Sequence, residues 1–252
     1  MIQVEQATKR YGNVTVVDQV SLTIPRGGLT TIIGPNGAGK STLLGMMSRL
    51  VGMDGGTIRV DGLDVSTTPS RDLAQRLSIL RQDNRLDARL TVRDLVAFGR
   101  YPYSRGRLTI EDRDKIEAAI EYMHLDPMRE RFLDELSGGQ RQRAFVAMVL
   151  AQDTDYVLLD EPLNSLDMKH AVGIMRMLRR TADELGKTIV MVLHDINFAS
   201  CYSDHIVAMA NGKVLYHTTP MELMTTETLS VIYGLDVEVQ EIAGNRIGIY
   251  YR

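Results

Sequence analysis

The chain has 252 residues, a formal net charge of −3, and hydrophobic and charged fractions of 44% and 24%. This composition is typical of a soluble globular protein, and the near-neutral charge excludes a global electrostatic attraction to nucleic acid or to an anionic membrane. The length accommodates one large α/β domain or a core with an inserted lobe.

Cysteine content and hydropathy bear on the compartment. Cys201 is the only cysteine, which excludes an internal disulfide; we expect a reducing cytoplasm and a small side chain that fills the core here. Residues 1–5 lack the basic start and apolar run of a signal peptide. No apolar stretch approaches the ~20 residues needed to cross a bilayer, so we expect any membrane role to act from the cytoplasm through a partner.

The first third of the chain predicts strand, loop and helix. Apolar and polar residues alternate at 20–24, a strand pattern, and residues 29–33 are typical of a buried strand. Residues 58–60 alternate again and predict a short strand of an antiparallel flank. Between the strands at 29–33 and 58–60 we expect a helix that stops at Gly52. Its apolar face comprises Leu43, Leu44, Met47 and Leu50.

From about residue 82 to residue 153 the pattern is helical. Thr109 is a candidate N-cap, with acids in the following turn. An apolar stripe follows at Ile116, Ala119, Ile120 and Met123. Residues 71–107 are rich in Arg, which favours a solvated or protein-docking face over a nucleic-acid site because acids are interspersed. These acids are Asp72, Asp83, Asp87 and Asp94.

Parallel-sheet character returns in the last third, at residues 156–159 and 188–193. Between these strands a helix ending at Gly186 is expected. Its buried face comprises Ala171, Ile174, Met175 and Leu178. The pair Asn211-Gly212 predicts a hairpin turn.

A glycine-rich loop joins the buried strand at 29–33 to the helix after it. The loop comprises Gly34, Pro35, Asn36, Gly37, Ala38, Gly39, Lys40 and Ser41, with Thr42 next. Its glycines let backbone N–H groups converge on phosphates, and the helix adds its positive end. We expect Lys40 to bridge the β- and γ-phosphates of ATP and the Ser41 hydroxyl to hold Mg²⁺. A chance glycine-rich turn would not explain the complete pattern in this context.

Two acids follow the apolar strand at 156–159. We expect Asp160 to hold Mg²⁺ and Glu161 to orient and deprotonate the water that attacks the γ-phosphorus. The alternative, a solvated strand end with helix-capping acids, leaves the phosphate loop upstream unexplained.

A third motif precedes a helical run at 140–150. The N–H groups of Ser137, Gly138 and Gly139, with the Ser137 hydroxyl, would form an anion site at a helix N-terminus. Alone, the same residues equally satisfy an ordinary N-cap. The whole element is Leu136-Ser137-Gly138-Gly139-Gln140, and it lies between the phosphate loop and the acidic pair.

This order of motifs resembles the ATP-binding-cassette (ABC) ATPases, and the resemblance runs over nearly the whole chain. It implies an α/β fold: a P-loop NTPase core, RecA-like and mainly parallel, with an antiparallel β flank and an inserted helical subdomain. The implied divisions are a core at 1–82 and 154–216, a helical signature subdomain at 83–153 and a small C-terminal tail at 217–252.

The resemblance also assigns roles to single residues. Gln82 would sense the γ-phosphate and Mg²⁺, His194 would hydrogen-bond the γ-phosphate, and Tyr11 would stack on adenine. In the loop Asn164-Ser165-Leu166-Asp167, Asp167 would shape the site of an opposing subunit. The alternatives are a solvated glutamine, a structural histidine and a packed tyrosine.

The family further implies partners and cofactors. Two copies would face head to tail as a homodimer, each presenting Ser137 and Gly139 to ATP and Mg²⁺ on the other. Transmembrane permease subunits would dock near Gln82 at the cytoplasmic face of the membrane, and an extracytoplasmic siderophore-binding protein would act indirectly. No nucleic-acid partner is expected.

A narrower resemblance lies in residues 98–104, 151–155 and 193–199, which look like the ATPase subunits of bacterial iron–siderophore importers of the catecholate or petrobactin type. Import of haem or cobalamin stays open as an alternative, as does a non-transport ABC ATPase acting on nucleic acid or ribosomes. The single cassette and the absence of long heptads disfavour the latter. A P-loop kinase and half of an exporter are less favoured readings, and the sequence does not identify the cargo.

Overall fold

The computed structural model describes residues 1–82, 88–164 and 166–250. Four sequence predictions fall outside these residues: the start of the helical subdomain at Asp83, the acid Asp87, Ser165 of the loop assigned to the dimer interface, and the last two residues of the tail. In chain order the described elements are β1 (Ile2–Tyr11), β2 (Val14–Ile24), β3 (Gly28–Ile33), α1 (Lys40–Met47), β4 (Gly55–Val60), β5 (Leu63–Asp64), α2 (Ser70–Ala74), β6 (Leu77–Leu80), α3 (Val92–Phe98), α4 (Tyr101–Ser104), α5 (Ile110–Tyr122), 3₁₀ turns at Asp126–Met128 and Leu133–Glu135, α6 (Gly138–Ala151), β7 (Tyr156–Asp160), α7 (Met168–Leu185), β8 (Thr188–Val192), α8 (Ile196–Tyr202), β9 (His205–Ala210), β10 (Lys213–Thr218), α9 (Pro220–Leu223), α10 (Thr226–Tyr233), β11 (Glu238–Ile242) and β12 (Asn245–Ile249).

A six-stranded sheet in the order β10-β9-β3-β8-β7-β6 forms the centre of the molecule. Strands β3, β6, β7, β8 and β9 are parallel, and β10 is antiparallel to β9. The three middle strands are almost wholly buried, as is usual for parallel strands covered on both faces. The predicted α/β class with a mainly parallel sheet is confirmed.

The register of this sheet decides which loops meet. Ile32 of β3 and Asp160 of β7 both pair with Val192 of β8. Because parallel strands end at the same edge of a sheet, the segments that follow them lie side by side there. This edge therefore carries the glycine-rich loop, the acidic pair and the turn that contains His194.

A four-stranded antiparallel sheet, in the order β2-β1-β4-β5, confirms the predicted flank. Its buried side chains, among them Ile2, Val17 and Ile58, pack in one cluster with α1 and with Val190 of the central sheet. The predicted hairpin between β9 and β10 is also present, with Asn211 in the left-handed region at its turn.

Helices fill the described residues between β6 and β7. Thr91 and Thr109 cap α3 and α5 in reciprocal capping boxes with Asp94 and Asp112, which confirms the predicted N-cap at Thr109. The predicted apolar stripe of α5 is buried in a cluster that continues into β3, β7 and β8. The helical segment is thereby packed directly onto the central sheet.

Two local predictions are wrong. Helix α1 ends at Met47 instead of near Gly52, and Leu50 is exposed. Arg49 adopts the left-handed region with φ of 59°, and the N–H of Val51 turns back to the carbonyl of Gly45 at 3.0 Å, which ends the helix.

The second wrong prediction concerns Cys201, which is exposed on α8 and does not fill the core. Helix α8 is short and buries Ile196 and Ala199, so only one face of it is available to the core. No helix within residues 1–82, 88–164 and 166–250 is both long and apolar enough to span a bilayer.

Candidate nucleotide-binding site

The phosphate loop lies between β3 and α1, as the sequence predicts. Gly39 precedes the first turn of α1 with φ of 94°, and a Cβ added there would lie 2.4 Å from the carbonyl oxygen of Val16. Only glycine satisfies both conditions. No side chain caps the N-terminus of α1 and no acid lies in its first turn, so its N–H groups are open to an anion.

Lys40 is buried, and its ammonium group folds back onto the loop. The Nζ atom donates to the carbonyls of Gly34 at 2.9 Å and Pro35 at 3.0 Å. Burial lowers the pKa of Lys40, while the charges of Glu161 and Asp160 act in the opposite direction. A desolvated cation held at the rim of open N–H groups suits a multiply charged phosphate chain.

Ser41 and Asp160 are in direct contact, although they are far apart in sequence. The Ser41 hydroxyl donates to Oδ1 of Asp160 at 2.8 Å. Burial raises the pKa of Asp160, the Ser41 hydrogen bond lowers it, and the charge of Glu161 raises it further. A hydroxyl and a carboxylate are oxygen ligands of the kind that hard divalent cations prefer.

Within the described ranges, no group of three or more His, Cys, Asp or Glu side chains is arranged to hold a metal ion. A cation held by only Ser41 and Asp160 would need further ligands from nucleotide and water, which is the usual coordination of Mg²⁺.

Glu161 is held on both sides of its carboxylate. Its Oε2 accepts from Nε2 of Gln82 at 2.6 Å, and its Oε1 lies 2.6 Å from Nε2 of His194. The backbone of Glu161 has φ of 49°, the left-handed region that costs a non-glycine residue on the order of 1–3 kcal/mol. Its N–H donates to the carbonyl of Val192 at 3.2 Å. The carboxylate thus lies between Gln82, which follows β6, and His194, which follows β8.

Residues 136–140, the signature residues, form a second cluster at the start of α6. Ser137 caps the helix, and its hydroxyl and the side chain of Gln140 bond each other's backbone N–H groups in a capping box. Ser137 and Gly138 are exposed, whereas Gly139 is covered by the ring of His170.

Asp167 caps α7 and belongs to the same cluster. It accepts from the backbone N–H of His170, and both of its oxygens lie 2.8 Å from Nδ1 of that ring. His170 therefore touches Asp167 on one side and Gly139 on the other. The cluster is joined to the acidic turn through Gln142, whose Nε2 donates to the carbonyl of Pro162 at 2.9 Å.

The structure thus brings six predicted residues together at the strand ends: Lys40, Ser41, Gln82, Asp160, Glu161 and His194. Tyr11 ends β1, is exposed, and has the Lys9 ammonium 5.4 Å from its ring centroid. Asn36 and Gly37 are exposed on the loop, and Thr42 is half-buried in α1.

Gln142 and His170 were not predicted. For His170 a signal was present, because it stands three residues after Asp167, the spacing of an N-cap pair. Nothing in the sequence marks Gln142 as the residue that reaches the acidic turn.

A fold of this kind, with these motifs at its strand ends, has known relatives. The family model of the ABC transporter matches residues 17–164. The chain therefore belongs to the ABC transporter family, and it is a nucleotide-binding ATPase of that class.

Two relatives align over nearly the whole chain. The petrobactin import ATP-binding protein YclP of Bacillus subtilis (strain 168) is 53% identical over 100% of both chains. The petrobactin import ATP-binding protein FatE of Bacillus anthracis is 50% identical over 99% of this chain and 100% of its own. Among solved structures, the dimeric post-hydrolysis state of the ATP-binding cassette MJ0796 with ADP and Pi has a TM-score of 0.77 and 28% identity, over 87% of this chain and 99% of that one.

Proposed function

We propose that this ABC ATPase hydrolyses ATP with Mg²⁺ as a head-to-tail homodimer and thereby powers a bacterial importer of ferric siderophores. The observation that carries the catalytic part is the convergence of Lys40, Ser41, Asp160 and Glu161 at one edge of the central sheet. The cargo is proposed from the relatives, two of which are petrobactin import proteins by name.

Binding of ATP starts at the phosphate loop. The open N–H groups of α1 and the Lys40 ammonium supply positive potential for the β- and γ-phosphates. On binding, Lys40 exchanges its contacts with the Gly34 and Pro35 carbonyls for phosphate oxygens. Tyr11 is exposed at the end of β1, and its ring is proposed to stack on adenine.

The oxygens of Ser41 and Asp160 fit Mg²⁺, and these two residues would hold it beside the phosphates. A bound Mg²⁺ neutralises charge that develops on the β- and γ-phosphate oxygens. Burial raises the pKa of Asp160, which means that its charged form is disfavoured at this position. Its carboxylate therefore gains from a positively charged neighbour.

Hydrolysis requires a water aligned with the γ-phosphorus. Glu161 is the residue proposed to orient this water and to accept its proton. Gln82 and His194 hold the two oxygens of its carboxylate, so its orientation is set before a water arrives. On ATP binding, Gln82 and His194 are proposed to contact the γ-phosphate as well.

The signature residues are proposed to serve the opposite subunit. Ser137 and Gly138 are exposed, and a Cβ added at Gly138 would meet nothing within 4 Å. The capping box uses the N–H groups of Ser137 and Gln140, whereas the N–H groups of Gly138 and Gly139 have no partner within the helix. The solved ATP-binding cassette MJ0796 is dimeric, which supports completion of the site by a second copy.

The test of this mechanism is the variant Glu161→Gln. It keeps the shape of the side chain but removes the base, so we expect Mg-ATP to accumulate in a closed dimer. Size-exclusion chromatography with Mg-ATP should show a dimer for this variant and a monomer for Lys40→Ala. Monomer elution of both would contradict the mechanism.

The transport assignment needs a separate test. In the bacterium that carries this protein, deletion of its gene should abolish growth on ferric petrobactin as the iron source, and restoration should require wild-type protein and fail with Glu161→Gln. The protein should co-purify with a permease from the cytoplasmic face of the membrane, and the extracytoplasmic siderophore-binding protein should act through that permease. Unchanged growth on every ferric siderophore would contradict the proposed cargo class.

A further inference from the structure

The C-terminal segment, which comprises α9, α10, β11 and β12 (residues 220–249), packs against α8. Helix α8 begins two residues after His194. Leu223, Leu229 and Val237 of this segment share one apolar cluster with Ile196 of α8 and Ile33 at the end of β3. The segment thus packs against two parts of the chain that adjoin the site: the end of β3, which precedes the phosphate loop, and the start of α8, which follows His194. The proposed catalytic cycle gives this segment no role.

Strand β12 is joined to α8 by a reciprocal pair of hydrogen bonds. The Asn197 side chain donates from Nδ2 to the carbonyl of Gly248 at 3.1 Å, and its Oδ1 accepts from the N–H of Gly248 at 2.8 Å. The Ser200 hydroxyl adds a bond to the carbonyl of Arg246 at 2.6 Å. One asparagine side chain therefore takes the place that a neighbouring strand would occupy beside β12.

Asn197 is also tied to the turn that carries His194. Its backbone N–H donates to Oδ1 of Asp195 at 2.8 Å, and Asp195 caps α8. His194 in turn reaches Glu161, with 2.6 Å between Nε2 and Oε1. Hydrogen bonds therefore run from Gly248 through Asn197 to Asp195, and the chain neighbour of Asp195, His194, contacts the Glu161 carboxylate.

Neither partner in this contact is stable alone. Strands β11 and β12 form a separate two-stranded sheet, and isolated hairpins are marginal in water. Helix α8 has seven residues, fewer than an isolated helix needs. The contact therefore adds to the packing that holds α8, which also buries Ile196 and Ala199 against Ile33.

We infer that Asn197 is a positioning residue, through which the C-terminal hairpin holds His194 in place toward the γ-phosphate. The inference rests on the proposed role of His194. The ligand class that depends on it is the nucleoside triphosphate, because a diphosphate lacks the phosphate that His194 would contact. Loosening the hairpin should therefore weaken triphosphate binding selectively.

The test compares binding of AMP-PNP, a non-hydrolysable ATP analogue, with binding of ADP, both with Mg²⁺, to the full chain by isothermal titration calorimetry. In Asn197→Ala the affinity for AMP-PNP should fall by about three- to tenfold, since small misplacements of a site residue are costly, while affinity for ADP changes less than about twofold. Asn245→Ala is the matched control, because Asn245 bonds only within its own hairpin turn among the contacts described. It should alter neither affinity.

A double-mutant cycle identifies the route of the effect. If Asn197 acts through His194, then Asn197→Ala should cause no further loss in a His194→Ala background. Additive losses, or equal losses for AMP-PNP and ADP, would overturn the inference. A His194→Ala variant with unchanged AMP-PNP affinity would instead overturn the proposed role of His194, and the inference with it.

A second variant covers the case in which Asn197→Ala does not fold. Gly248→Ala retains the backbone groups that Asn197 bonds, but the added Cβ would lie 2.8 Å from Cδ1 of Ile196 and displace that side chain. The same selective loss of AMP-PNP affinity is expected. Wild-type affinity in a folded Gly248→Ala variant would count against the inference.

Discussion

The carboxylate of Glu161 and the imidazole of His194 lie 2.6 Å apart, between Oε1 and Nε2. The proposed base is thus oriented by a side chain of the protein itself. His194→Ala removes this contact, and we expect kcat for ATP hydrolysis to fall by roughly 100-fold, within the range of positioned acid–base groups. Phosphate release under steady state measures it.

The matched control for this variant is His124→Ala, since His124 is exposed and lies after α5 in the helical segment. Its kcat should equal that of the wild type. Equal rates for both histidine variants would remove His194 from the mechanism.

Asp160 combines a cost in stability with a proposed function. Its pKa in the folded chain is raised above 3.8, mainly by burial. As the pH rises through the interval between 3.8 and the raised value, the folded state holds more protons than the unfolded state, so the free energy of unfolding falls. Asp160→Asn has no titrating carboxyl and so avoids this loss of stability. Its side-chain oxygen can still accept the hydrogen bond from Ser41.

We therefore expect Asp160→Asn to be more stable than the wild type in the absence of nucleotide, with a larger gap at about pH 8 than at about pH 5. Urea unfolding at both values measures the gap. The same variant should lose Mg²⁺-dependent hydrolysis. If the difference in free energy of unfolding between Asp160→Asn and the wild type narrows as the pH rises, the buried charge of Asp160 is not the cause of that difference.

The hydroxyl of the buried Tyr156 contributes to stability through Asp61, to which it donates a hydrogen bond. Tyr156→Phe should lower the free energy of unfolding by about 1–3 kcal/mol, because Asp61 loses this donor. Urea denaturation measures the change, and an unchanged or raised free energy of unfolding would refute the contribution of this bond.

His170 links Asp167 to Gly139 and was not expected from the sequence. His170→Ala frees the carboxylate of Asp167 and opens space beside Gly139, both on the surface proposed to face a partner. We expect kcat to fall by about tenfold, with ATP affinity of the single chain unchanged. Lys169→Ala, an exposed neighbour, is the control. A loss of ATP affinity with normal kcat would contradict this prediction, because it would assign His170 to ATP binding by its own chain.

Much of the site follows from the sequence because its parts are local. The phosphate loop needs glycine at positions such as Gly39, and the apolar runs before it and before Asp160 identify buried parallel strands. Since such strands end at one edge, the proximity of Ser41 to Asp160 could be predicted without coordinates.

Other features depend on contacts that no local pattern encodes. The left-handed backbone of Glu161 is imposed by the neighbouring strand, to which its N–H is bonded. The exposure of Cys201 depends on which face of α8 the C-terminal segment covers, and the bond between Asn197 and Gly248 joins residues about fifty positions apart. The early end of α1 depends on the left-handed backbone of Arg49, a conformation that the residue type does not signal.

The proposal that each site is shared between two copies is tested most directly by mixing inactive variants. Lys40→Ala disables the phosphate loop. Gly138→Asp fits the single chain, because the Cβ position is open, but places a negative charge where the partner's phosphates would lie. A mixed dimer then has one site with both defects and one site with neither.

The mixture of Lys40→Ala with Gly138→Asp should therefore hydrolyse ATP, although each variant alone is inactive. Lys40→Ala mixed with Glu161→Gln should stay inactive, because both residues belong to the same half of each site. Activity in the first mixture and not in the second is the predicted result. No recovery in either mixture of folded, associating variants, or equal recovery in both, would contradict a site shared between two copies.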